Sequence, residues 1–86
     1  MQIGYSENFL KQQEKAPEHV RILLKERIRI FSRDKFDGVL NNHKLMGKMK
    51  GLRSINIGGD WRALFVELSS GDVIFKAIGT HSQLYK

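Results

Sequence analysis

Between Val20 and Phe31 the apolar residues keep to one side of a helix. Val20, Leu24, Ile28 and Phe31 recur at steps of four, four and three, and Leu23 and Ile30 widen the stripe. This is the period of an amphipathic helix. Pro17 suits its first turn, where the missing N–H has no partner to lose. Arg21, Lys25, Arg27, Arg29 and Arg33 spread over the remaining surface and read as a solvated face. Ahead of this helix, Ser6 is a plausible N-cap for a shorter one over about residues 7 to 15. Gln2 to Tyr5 alternate and predict a short first strand. Asp34 to Gly38 form the exit from the second helix into a loop.

From Arg53 the period changes to two. Arg53-Ser54-Ile55-Asn56-Ile57 alternates, Gly58-Gly59 signals a hairpin turn, and Trp61 to Leu68 is apolar and aromatic. Ser69-Ser70-Gly71-Asp72 makes a second turn, and Val73 to Ile78 a third run of strand formers. Three consecutive strands on short loops predict an antiparallel meander. Two helices must cover one of its faces, leaving the other open. The expected architecture is α+β, in the order β-α-α-β-β-β, with a small antiparallel sheet packed on two N-terminal helices. With 86 residues, one domain is expected over residues 1–86, with a thin core.

Composition narrows the chemistry. There is no cysteine, which excludes disulfides, cysteine zinc sites and a cysteine nucleophile, and which fits a reducing cytosol. No apolar run approaches the roughly 20 residues of a membrane span, and the first residues do not read as a signal peptide. Lysine and arginine outnumber acids 15 to 9, a net charge of +6 that favours a polyanionic partner. Residues 39 to 59 contain no acid but carry His43, Lys44, Lys48, Lys50 and Arg53, broken up by Gly47 and Gly51. Such a loop can follow a phosphate backbone, although a solvated loop without a partner has the same composition.

Of three histidines, His19 reads as a surface residue, His43 opens the basic segment and His81 follows the last strand. A central strand could present Arg53, Arg62 and His81 near one another, with Asp60 at its start. RNA cleavage by 2′-hydroxyl attack needs a base, an acid and a cation beside the phosphorus. Histidine fills either proton role, arginine offers a fork for phosphate oxygens, and Tyr85 can stack on a base. A metal centre is not expected, because no close histidine pair occurs. There is no Walker-type phosphate loop and no G-x-S-x-G nucleophile elbow.

Three segments, H-K-L-M-G-K-M-K-G-L-R-S-I from His43 to Ile55, G-D-W-R-A-L-F from Gly59 to Phe65 and I-G-T-H-S-Q-L-Y from Ile78 to Tyr85, resemble the RelE/ParE superfamily of toxin–antitoxin toxins, nearest to its YafQ-like branch. The resemblance is close over the second half of the chain and one of pattern over the first. It implies a microbial ribonuclease fold and an mRNA interferase acting in the ribosomal A site without metal or other cofactor. It also implies a cognate antitoxin as partner and a cytoplasmic location. It carries the proposed catalytic set onto His43, Asp60, His81 and Tyr85, and a further arginine onto Arg62. Lys44, Lys48, Lys50, Arg53 and Asn56 would contact RNA. The toxin that gives the branch its name has another histidine four residues before the aspartate. Asn56 stands in that place here, and an amide cannot act as a general acid or base near neutral pH. The division of acid and base roles among His43, Asp60 and His81 stays open. So do the readings of a catalytically weak or inactive toxin, a ParE-like gyrase poison and a non-catalytic RNA- or ribosome-binding module.

Overall fold

The computed structural model describes residues 1–85. In chain order the elements are β1 (Ile3–Tyr5), α1 (Glu7–Lys15), α2 (Glu18–Arg33), β2 (His43–Lys44), β3 (Arg53–Gly58), β4 (Trp61–Glu67), β5 (Val73–Thr80) and α3 (His81–Leu84). Two 3₁₀ turns, Gly38–Leu40 and Gly47–Met49, flank β2. The two N-terminal helices and the meander are as expected. Two short elements, β2 and α3, are additional.

The strands form one sheet in the order β1-β5-β4-β3-β2. The expected all-antiparallel sheet is corrected at one edge. β1 pairs with β5 in parallel, Ile3 opposite Val73 and Tyr5 opposite Phe75, so the sheet is mixed. Two helices intervene between β1 and the rest of the sheet, and that crossover permits a parallel neighbour.

α1 and α2 cover one face. The core joins Phe9, Ala16, Val20, Leu24 and Phe31 from the helical half to Ile55, Ile57, Ala63, Phe65, Phe75 and Ile78 from the sheet. Phe31 stands edge-on to Phe65 and Phe75, with ring centroids 5.0 and 5.4 Å apart. Such geometry adds to the gain from burial.

α1 also completes the edge of β5. Ser6 caps the helix by accepting from the Phe9 N–H, and the same hydroxyl donates to the Lys76 carbonyl. Asn8 donates to that carbonyl too, at 3.1 Å, and Gln12 Oε1 accepts from the Ile78 N–H at 2.8 Å. Lys76 is the extra residue of a bulge, since Leu64 pairs with Ala77 but Phe65 with Phe75. Backbone groups that β1 is too short to reach are thus satisfied by side chains.

Side chains alternate across each strand. With Ile55, Ala63 and Ile78 in the core, the opposite face carries two cross-strand rows. One runs His43, Ser54, Leu64, Ala77, and the next Asn56, Arg62, Gly79. This face, which α1 and α2 do not cover, holds the residues of the site, although Ser54 and Leu64 on it are themselves buried.

Candidate active site on the open sheet face

A cleft of about 370 Å³ on this face is lined by Asn41, His43, Leu45, Met46, Met49, Arg62, His81 and Tyr85. Four of the five candidate catalytic residues therefore meet, from β2, β4 and the C-terminal turn. Asn41 and the three apolar residues of the 45–49 loop went unmarked in the sequence. The charge pattern of that loop drew attention to its lysines, whereas its apolar side chains make the wall.

His43 owes its place to β2, a two-residue edge strand pairing His43 with Ser54 and Lys44 with Arg53. Its Nδ1 lies 2.8 Å from the Asn41 carbonyl oxygen. Arg62 projects from β4, and its guanidinium donates to the carbonyls of Gly59 and Trp61 at 2.8 and 3.0 Å. Both bonds use one terminal nitrogen, so the guanidinium keeps further N–H donors for an anion.

His81 and Tyr85 are set by α3. Thr80 accepts from the Gln83 N–H, and the Gln83 side chain accepts from the Thr80 N–H, forming a capping box that starts the turn. The His81 N–H donates to the Asp60 carbonyl and the Tyr85 N–H to the His81 carbonyl. One turn apart, the two rings meet with centroids 4.5 Å apart at 52°. Tyr85 thus packs on the imidazole, which leaves only the rest of its ring for a nucleobase.

The other candidates lie elsewhere. Asp60 is exposed in the β3–β4 turn and outside the cleft lining, and its main chain is what touches His81. Asn56 sits opposite Arg62 in the sheet, and its buried Oδ1 has no partner among the described residues. Buried Ser54 Oγ is likewise unpaired. Arg53 does not join Arg62 and His81. It lines a second cleft, of about 590 Å³, with Lys44, Leu45, Met46, Lys50 and Glu67. There its Nε donates to Asn42 at 2.8 Å, and its guanidinium lies 5.5 Å from the centre of the exposed Phe36 ring. Leu45 and Met46 line both clefts, which therefore adjoin. Lys48 is exposed and lines neither.

At the second cleft a 2.7 Å hydrogen bond from Lys35 holds the Glu67 carboxyl below the usual glutamate range. Among the described residues, no three His, Asp or Glu side chains stand close enough to hold a metal ion. None of the described helices is long and apolar enough to cross a membrane.

No protein-family model matches the chain, and no curated protein does. Solved structures do. YafQ from E. coli strain BL21(DE3) superposes with a TM-score of 0.82 over 98% of this chain and 97% of that one, at 24% identity. A chain of the E. coli DinJ–YafQ toxin–antitoxin complex gives 0.78 over 98% and 96%, at 25% identity. The RelB–RelE antitoxin–toxin complex from Methanococcus jannaschii gives 0.75 over 95% and 94%, at 18% identity. The likeness runs from end to end, through the strands that carry the cleft as well as the helices behind them. This chain has the YafQ-like fold of the RelE/ParE superfamily of toxins.

Proposed function

We propose that the protein is the toxin of a toxin–antitoxin pair and that it cleaves messenger RNA on the ribosome, in the cytoplasm. The observation that carries this reading is the convergence of His43, Arg62, His81 and Tyr85 on one cleft of the open sheet face. The neighbours crystallised as toxin–antitoxin complexes support a protein antitoxin as the silencing partner.

In this reading His43 takes the proton of a ribose 2′-hydroxyl. The freed oxygen attacks the adjacent phosphorus, forming the O2′–P bond as the P–O5′ bond breaks. His81 gives its proton to the departing 5′-oxygen, leaving a 2′,3′-cyclic phosphate and a 5′-hydroxyl. Arg62 turns its free N–H groups to the phosphoryl oxygens, where charge grows. Tyr85 holds the His81 ring and offers its remaining surface to a base. Lys44, Lys50 and Arg53 carry the neighbouring phosphates along the adjoining cleft, with Lys48 beside them. Asn56, next to Arg62 in the sheet but with its Oδ1 buried outside the cleft lining, makes no direct contact with the substrate. Asp60 serves through its carbonyl, holding the start of α3. The mechanism calls on no metal.

A second reading has a specific observation behind it: Asp60 stands outside the cleft and Asn56 cannot transfer protons. The chain would then be a toxin of this fold with little or no nuclease activity. Incubation with ribosomes programmed with a defined message, with the cut mapped, separates the two. The parent should cut, and His43→Ala and His81→Ala should each lower the rate by roughly 10² to 10⁴. Intact message with the parent, or unchanged cutting by both variants, would sink the nuclease reading.

A further inference from the structure

We propose that Asn41 is a positioning residue. Its carbonyl, presented by a left-handed backbone, holds the His43 ring in the tautomer that leaves the lone pair on Nε2.

Asn41 has φ 46° and ψ 49°, and it is the one non-glycine residue with positive φ among those described. Most side chains resist this region, whereas asparagine tolerates it. The conformation is pinned from both sides. Before it, Leu40 is fully buried and ends a 3₁₀ turn, which Asp37 caps by accepting from the Val39 N–H at 3.0 Å. The Asn41 N–H itself closes the turn on the Gly38 carbonyl. After it, the Asn42 side chain donates to the Lys35 carbonyl and accepts from Arg53 Nε. A residue kept in a sparsely populated conformation by firm neighbours is a mark of functional sites.

The carbonyl so presented lies 2.8 Å from His43 Nδ1. A carbonyl oxygen can only accept, so Nδ1 carries the hydrogen. Free imidazole side chains favour the other tautomer, with hydrogen on Nε2. In that form the Nδ1 lone pair would face the oxygen's lone pairs. The contact therefore selects the less common form and puts the basic lone pair at the far end of the ring. The catalytic consequence rests on the nuclease reading above, whereas the tautomer itself does not.

Long-range ¹H–¹⁵N correlation of the imidazoles, recorded on the full chain at a pH where His43 is neutral, tests both. The parent should show the Nδ1–H pattern at His43. Asn41→Val, β-branched and poorly suited to this backbone, should shift the pattern toward Nε2–H. It should also lower kcat on programmed ribosomes roughly tenfold with KM unchanged. Asn41→Gly, free to adopt the same backbone, should restore the pattern and recover kcat relative to the valine variant, which separates the effect from misfolding. An Nε2–H pattern in the parent, or a valine variant with the parent's pattern, overturns the proposal. The Nδ1–H pattern in a parent that leaves message intact would uphold the role of Asn41 and defeat the nuclease reading instead.

Discussion

Phe31 has no exposed surface and touches β4 and β5 through Phe65 and Phe75. In a domain this small no other aromatic ring on α2 shares that load. Phe31→Ala should cost about 3–5 kcal/mol, read by urea titration, and a loss under about 1 kcal/mol would mean that the helix settles to fill the space. Histidines show the opposite side of the residue scale. The sequence singled out His43 and His81, but their surroundings depend on contacts that leave no trace in spacing. The Asn41 carbonyl on His43 and the Asp60 carbonyl on His81 are main-chain groups. Every residue has such a group, so nothing in the chain marks these two. Asp60 drew notice for its carboxyl, yet its documented contact is made by its backbone.

Among the elements, α1 and α2 were legible because capping and a one-sided stripe are local signals, and Ser6 caps α1 as read. The meander was legible from its turns. β2 was not, because two residues in a glycine-broken basic loop carry no period, and the strand exists only through its pairing with β3. The partner of β1 was hidden because it lies 70 residues away. The turn α3 was masked by its brevity. It also depends on Gly79, where a Cβ would meet Gln83 Oε1 at 3.0 Å and Leu84 atoms at 3.3 Å. Gly79→Ala should therefore make the Gln83 and Leu84 side chains give way by a few tenths of an ångström, which disturbs the capping box that sets His81 and Tyr85. Message cleavage should fall by up to roughly tenfold, while the melting temperature drops by only a few degrees, about 4–8 °C per kcal/mol. Unchanged cleavage would show that α3 yields without moving its rings.

For the molecule as a whole, two carboxylates, of Glu67 and the half-buried Asp72, tie distant parts together. The Gln2 N–H donates to Asp72 and lowers that carboxyl from its ordinary 3.8. Lys35 does the same to Glu67, from 4.5. A depressed folded-state pKa stabilises above the ordinary value, and the gain is lost as pH falls through the lower one. The melting temperature should be insensitive to these groups above pH 4.5 and should decline below it. Glu67→Gln combined with Asp72→Asn should flatten that decline. A double variant whose acid profile matches the parent's would place the sensitivity elsewhere.

The pairing of Ile3–Tyr5 with Val73–Phe75 joins one end of the chain to the other, and the cleft takes a wall from His81 and Tyr85. β1 is made about 70 residues before the strand it pairs with. Until Val73–Phe75 has been made, neither the parallel edge of the sheet nor the turn after β5 can form. So long a separation makes this pairing a late event in folding, and the last wall of the cleft is set only when the sheet closes.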